Sequence, residues 1–320
     1  MKNITRVKAI GGIGNQLFVL VFGLAISEKL KTKLIVDDSI IRLGSNKSRR
    51  IEIANLLFNG FNIEYKSSKF NFLRVRKSSF STFLNKLFWK LSKLNRNLIF
   101  EGSLSQSQFK FTKGKSFSGY FQDWFYADYI HESNSNFSLD LIDPSIDYMN
   151  LLNRVEQSKP TFVHVRLGDY LNFPEIYTIL PEYYFLDSLK YLNLNNNREI
   201  WLFTENLDQA KKYYPELVQR VDKVIDKEAG LSDLESFKLL CKATKLVASN
   251  STFSMWAAWF VNKDGFTAVV PMGFGNKDSD LQLTDERWDR YDLETRVIIP
   301  GSKLNSRYLD KKKEFLSKFE

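Results

Sequence analysis

The sequence predicts an α/β protein built on mostly parallel sheets. Three observations carry that expectation. The chain opens as strand, glycine turn, helix and strand. A second series of alternating strands and helices begins near Pro160. The composition suits a packed core: of 320 residues 43% are hydrophobic and 15% aromatic, with 27 Phe, 14 Tyr and 6 Trp. Such a chain is not disordered, because disordered chains are poor in aromatic residues. The length suits two domains.

Arg6–Ile10 reads as the first strand and runs into Gly11-Gly-Ile-Gly14. A helix is expected from about Asn15 to Lys31, then a second strand at Lys33–Val36 ending on Asp37-Asp38. In the second half, strands are expected at Thr161–Arg166, Glu199–Thr204, Lys223–Ile225, Leu246–Ala248 and Thr267–Val270. Helical patterns lie between them at Glu182–Leu194, Asp208–Tyr213, Asp233–Lys242 and Phe253–Val261. Strands alternating with helices imply a parallel sheet covered on both faces. The boundary falls within Tyr148–Lys159, dividing the chain into 1–155 and 156–320. A last charged helix, Tyr308–Phe319, either stays with the second half or returns to the first.

Charge is concentrated. The segment 66–115 holds twelve basic residues against one acid, Glu101, for a net +11; the rest of the chain holds 34 basic and 36 acidic residues. A global nucleic-acid-binding surface is therefore excluded. Within the segment Phe80, Phe83, Leu84, Leu87, Phe88, Leu91, Leu94 and Leu98 follow helical spacing, with Lys86, Lys90, Lys93 and Arg96 on the opposite side. Two readings stand: a helix packed on its own domain with a solvated lysine face, or peripheral attachment to an anionic membrane surface.

Cys241 is the single cysteine, so no intramolecular disulfide or multi-cysteine metal site is expected, and His131 and His164 are the only histidines. Met1–Ile10 is polar and unlike a signal peptide. The longest apolar run, Leu17–Ile26, is too short to span a bilayer. The expectation is a cytosolic protein of a reducing compartment.

Three segments carry chemistry. The first is Gly11–Gln16, at a strand-to-helix turn where backbone N–H groups can approach a phosphate or sugar. A dinucleotide fingerprint, with Asp37 on the ribose, fails at its third glycine, where Leu17 stands. An ordinary tight turn with Asn15 as helix cap remains open. The second is His164-Val-Arg-Leu-Gly-Asp-Tyr170. Strand alternation puts Phe162, His164 and Arg166 on one face and Val163, Val165 and Leu167 on the other. A guanidinium at a strand end can grip a phosphate through two parallel hydrogen bonds. The bland reading is a structural Arg166–Asp169 ion pair. The third is Ser249-Asn-Ser-Thr252, which opens a helix and gathers hydroxyl and N–H groups as an anion site, or serves only as a cap. Met255, Trp256 and Trp259 read as core.

These segments occur together in one order, and the chain resembles the bacterial α-1,2-fucosyltransferases, glycosyltransferase family 11. The resemblance rests on Gly11-Gly-Ile-Gly-Asn-Gln16, Gly119-Tyr-Phe-Gln-Asp-Trp124, His164-Val-Arg-Leu-Gly-Asp-Tyr170 and Ser249-Asn-Ser-Thr-Phe-Ser-Met-Trp256.

The resemblance implies a GT-B architecture, two Rossmann-like domains with a cleft between them. The first domain would take the acceptor and the second the nucleotide sugar. It implies an inverting transfer of L-fucose from GDP-β-L-fucose to the 2-hydroxyl of a galactose or similar hexose, without metal or other cofactor. The setting would be O-antigen or surface polysaccharide synthesis. The partners would be a lipid-diphosphate-linked glycan and the inner face of the plasma membrane, with no nucleic acid. Arg166, Asp169 and Asn15 are the expected catalytic residues. Gly12, Gly14, His164, Arg166, Glu205, Asn250, Ser251, Thr252 and Phe253 are the expected donor ligands. Asp169 leads the candidates for general base, ahead of Glu175, Asp37, Asp38 and a phosphate oxygen of the leaving group. Leu167 stands where the family has a second Arg, Met255 where it has a first Trp, and Thr204-Glu205 where it has Ser-Asp. These departures leave open a different nucleotide sugar, and a binding protein without turnover is the rival class.

Overall fold

The computed structural model describes residues 3–38, 51–57, 61–66, 97–105, 109–134, 138–174, 177–193, 198–272, 283–284, 286–302 and 307–319. Most of the expected basic amphipathic helix, and Glu175, lie outside the described residues; Leu98, its last apolar position, begins a strand. The chain forms two compact units, Met1–Ser138 with Arg307–Glu320, and Leu139–Ser306. Each is an α/β unit with a parallel sheet, the pair that makes up a GT-B chain.

In the N-terminal unit the strands are β1 (Ile4–Lys8), β2 (Lys33–Asp37), β3 (Ile63–Lys66), β4 (Leu98–Phe100) and β5 (Ser116–Ser118). They pair in the order β3-β2-β1-β5-β4, parallel throughout. Helix α1 (Ile13–Leu30) packs on β1 and β2 and on α2 (Trp124–Ser133). It is covered on all sides, which is why its sequence is apolar all round rather than striped. By length and composition α1 would suffice to cross a membrane, more than the ten-residue run suggested, yet most of it is buried within this unit. Asp123 caps α2 by accepting from Phe125 N–H at 2.9 Å.

The last helix of the chain, Tyr308–Ser317, belongs to this unit. Phe315 inserts among Phe111, Phe125, Tyr126 and Tyr129, with centroids 5.2–5.8 Å apart. Lys311 clamps both Asp123 carboxylate oxygens at 2.8 Å.

The C-terminal unit begins earlier than the sequence boundary suggested. Its first helix, α3 (Ile146–Ser158), occupies the stretch read as the domain junction, and Ser145 caps it at Tyr148 N–H, 3.1 Å. There follow β6 (Thr161–Val165), α4 (Glu182–Asn193), β7 (Ile200–Thr204), α5 (Leu207–Tyr213), α6 (Pro215–Gln219), β8 (Lys223–Ile225), α7 (Asp233–Leu240), β9 (Lys245–Val247), α8 (Thr252–Lys263), β10 (Thr267–Pro271), β11 (Asp289–Tyr291) and β12 (Ile298–Ile299). The final helix Tyr308–Ser317 is α9. The sheet order is β8-β7-β6-β9-β10-β11-β12, parallel except for the β11–β12 edge pair.

All of β6 is buried, as a central parallel strand should be. The predicted parity holds. Val163, Val165 and Leu167 enter one core with Tyr184, Phe185 and Leu202. Phe162, on the other face, packs on Trp201 and Phe203. Leu167 is thus a core residue, turned away from Arg166. Met255, Trp256 and Trp259 are buried in the face that α8 turns to the unit's interior.

Candidate functional site

Ligands of open α/β sheets bind beyond the carboxyl ends of the strands, where the chain order reverses. In the C-terminal unit that point lies between β6 and β9. The chain runs from β6 outward through β7 and β8, then returns to β9 on the other side. Both second-half motifs leave the sheet there.

Register sets the first contact. Val165 pairs with Thr204, so the next residues, Arg166 and Glu205, stand side by side and form an ion pair. Asp169 closes the other side of the guanidinium at 2.7 Å, and Tyr170 lies beneath it with its ring 5.5 Å away. The side chains of Arg166, Asp169 and Glu205 remain 26%, 48% and 33% exposed, so an incoming anion can reach the guanidinium. Gly168 makes room for this arrangement. Its φ is +21°, and a Cβ there would come within 2.0 Å of the Glu205 carboxylate. Glu205, expected among the donor ligands, is engaged with Arg166.

The second wall is the start of α8. Ser251 is its N-cap and accepts from Ser254 N–H at 3.2 Å. Among the described residues the N–H groups of Thr252 and Phe253, in the open first turn, have no acceptor, and they carry the helix's positive end. Asn250, expected among the donor ligands, is buried and its amide donates to the Thr178 carbonyl at 2.8 Å. Tyr170 ties the two walls together, its hydroxyl donating to the Asn250 carbonyl at 2.9 Å. The sequence did not single out Tyr170 or Ser249, although both sit inside the motifs.

His164 lies behind this surface, 6% exposed and stacked on Phe253 at 5.3 Å. Its Nδ1 is 2.8 Å from Ser249 Oγ, which donates its only proton to Ser251 Oγ at 3.2 Å. Ser249 therefore accepts from the ring, and Nδ1 carries the proton. Burial, and secondarily the charge of Arg166, push the His164 pKa down to about 3. The ring is neutral at physiological pH. It braces the Ser249–Ser251 loop and is not a cationic phosphate ligand. The sign of the linkage follows. Below about 6.5 the unfolded histidine takes a proton that the folded one refuses, so stability is lost as pH falls from there toward 3. Between pH 6.5 and 5.0 the wild type is expected to lose about 2 kcal/mol more than His164→Gln, as read by urea unfolding. Parallel losses would contradict the assignment.

Gly12, Gly14 and Asn15 form a separate group in the N-terminal unit, beyond the carboxyl end of β1. Gly12 caps α1 without any side-chain hydrogen bond, so Asn15 is not the cap, and Gly14 is buried in the first turn. The glycine the turn requires is Gly11, with φ +68°. Gln16 spends its amide on the backbone, donating to Gly11 O and accepting from Glu52 N–H, both at 3.0 Å. Asp37 is engaged by Arg6 and Lys8, each at 3.8 Å. Among the described residues no three His, Cys, Asp or Glu side chains gather as a metal site.

These features define an α/β chain with an arginine and a helix N-terminus converging at a strand switch point, an arrangement suited to a diphosphate. The pattern of glycosyl transferase family 11 matches residues 103–285, more than half of the chain, and the chain belongs to that family. It is a glycosyltransferase. It is similar to the Escherichia coli alpha-1,2-colitosyltransferase, 25% identical over 301 residues that cover 90% of this chain and 99% of that one. It is similar also to the E. coli O-antigen biosynthesis glycosyltransferase WbnK, 25% identical over 299 residues covering 87% and 97%. Among solved structures, fucosyltransferase NodZ from Bradyrhizobium aligns over 82% of this chain and 94% of its own, at 14% identity and a TM-score of 0.48.

Proposed function

We propose that the chain transfers L-fucose, or a sugar of the same 6-deoxy-L-galactose frame, from its GDP derivative to the 2-hydroxyl of a galactose-type residue in an O-antigen glycan. The observation that carries this reading is Arg166, set between two carboxylates beside the open first turn of α8. The relatives' activities bear on the sugar. Colitose is fucose without its 3-hydroxyl, so a colitose donor is the second reading to test.

In this reading the acceptor oxygen attacks C1 as the C1–O bond to the diphosphate breaks, inverting the anomeric centre. Arg166 and the Thr252 and Phe253 N–H groups meet the charge growing on the departing GDP. Asp169 and Glu205 hold the guanidinium in place. The hydroxyl proton passes to an oxygen of the leaving diphosphate. A guanidinium and backbone N–H dipoles of this kind take the place of a metal in this reading, so EDTA is expected to leave the rate unchanged. The acceptor is a lipid-diphosphate-linked glycan, presented at the cytoplasmic face of the membrane.

Nucleotide release tests the reading across GDP-fucose, GDP-colitose, GDP-mannose and UDP-galactose, each with a galactose-terminated acceptor. The expected result is GDP release from the 6-deoxy-L-galactose donors and none from UDP-galactose. Release from UDP-galactose alone would overturn it, and nucleotide binding without release would favour a binding protein.

A further inference from the structure

We propose that Tyr170 is a positioning residue: it holds the Arg166 guanidinium and the first turn of α8 at a fixed spacing, so that both grip one diphosphate at the same time. The inference rests on the diphosphate reading of this site given above.

A diphosphate presents two charged groups joined by one oxygen. Two holders act on it together only if the protein fixes their spacing beforehand; otherwise ordering them consumes part of the binding free energy. Here the holders come from different parts of the chain. Arg166 follows β6, and the Thr252 and Phe253 N–H groups open α8. Among the described residues Tyr170 is the one side chain with a ring contact to the guanidinium and a hydrogen bond to the loop that enters α8. The guanidinium carbon stands 5.5 Å from its ring centroid, within the range at which a cation is held by an aromatic face. Its hydroxyl donates to the Asn250 carbonyl at 2.9 Å, two residues before Thr252.

Tyr170 acts through these partners rather than on the ligand, because it is 5% exposed and its hydroxyl proton is spent on Asn250. Burial pushes its pKa well above the ordinary value, so the hydroxyl stays a donor across the working pH range. The residue is itself fixed. Its backbone N–H donates to the Leu167 carbonyl at 2.7 Å, and its ring is stacked with that of Tyr177, centroids 4.1 Å apart and planes within 6°. Asn250 is held from a second direction, by its amide bond to the Thr178 carbonyl. The contacts close a ring: Tyr170 to Asn250, Asn250 to Thr178, and Tyr177, the neighbour of Thr178, back to Tyr170. Both walls are therefore set before a ligand arrives.

The test is calorimetric titration of GDP and of GMP into wild type and Tyr170→Phe, with a melting curve to confirm folding. Phe keeps the ring beneath Arg166 and the stack on Tyr177 and removes only the hydroxyl. GMP carries a single phosphate and gains little from a fixed spacing. In Tyr170→Phe the GDP affinity should fall about 3- to 10-fold, the worth of one hydrogen bond, with GMP within about twofold of wild type. Tyr177→Leu, which removes the stacked ring and leaves Tyr170 whole, should likewise weaken GDP and spare GMP. Unchanged GDP affinity in Tyr170→Phe would overturn the inference, and so would equal losses for the two nucleotides in either variant, the mark of a merely structural contact. A wild type that binds GDP no more tightly than GMP would instead overturn the diphosphate reading on which the inference stands.

Discussion

Arg166→Ala should lower kcat/KM for the nucleotide sugar about 10³-fold, roughly 4 kcal/mol of transition-state stabilisation. Among the described residues of the two motifs that leave the sheet at the switch between β6 and β9, Arg166 is the one cation. Its neighbours Asp169 and Glu205 would then face the diphosphate as uncompensated negative charge, which adds to the loss. Arg166→Lys should recover only part of the rate, because an ammonium restores the charge but not the two-pronged grip. Folding should change by less than about 1 kcal/mol, since both carboxylates reach water. A loss of activity with an unchanged melting curve therefore separates this role from a structural ion pair. Activity within a few-fold of wild type at saturating donor would refute it.

Phe315→Ala should cost the N-terminal unit about 3–4 kcal/mol, the range for emptying an aromatic core site. Phe315 is buried and its ring meets five others, Phe111, Phe125, Tyr126, Tyr129 and Phe319. Four of those partners, Phe111, Phe125, Tyr126 and Tyr129, lie in a distant part of the chain, so the loss unfastens α9 from α2 rather than loosening a local turn. Hydrogen exchange of the α2 amides reads the effect, and they should open far more readily in the variant. Lys311→Ala serves as the contrast. Its ion pair with Asp123 is half-exposed on both sides and should contribute under about 1 kcal/mol to stability. Unchanged exchange in Phe315→Ala would show that α9 is not integral to the unit.

The elements legible in the sequence were those whose burial is one-sided or total and whose ends carry signals. The central strand β6, with the alternation Phe162-Val-His-Val, and the helix start at Ser251 were both plain. Short strands such as Leu98–Phe100 and Ser116–Ser118 were not, because two or three residues cannot show a period and only their sheet partners make them strands. Helix α3 reads as a junction in the sequence because its polar residues face water over most of the helix. The membership of α9 in the N-terminal unit rests on contacts between residues almost two hundred positions apart, which no local pattern encodes.

The site divides in the same way. Arg166 and the Ser251–Phe253 turn, both named from motifs, leave adjacent strands at the switch between β6 and β9. What the motifs could not give was the use of each side chain. Asn250 braces a loop, Glu205 holds Arg166, and His164 is a buried neutral strut. Each of those roles is decided by a partner supplied from another strand or loop, and register became visible only in the folded sheet.

The most direct test of the central claim is the product itself. Wild-type enzyme, GDP-fucose and a β-galactoside acceptor are combined, and the glycan is examined by NMR alongside the released nucleotide. The account predicts equal amounts of GDP and of a fucose joined in α configuration to the galactose 2-hydroxyl, the inverted product of a β-linked donor. Fucose transferred with retained β configuration, or GDP released with no glycosidic product, would contradict it.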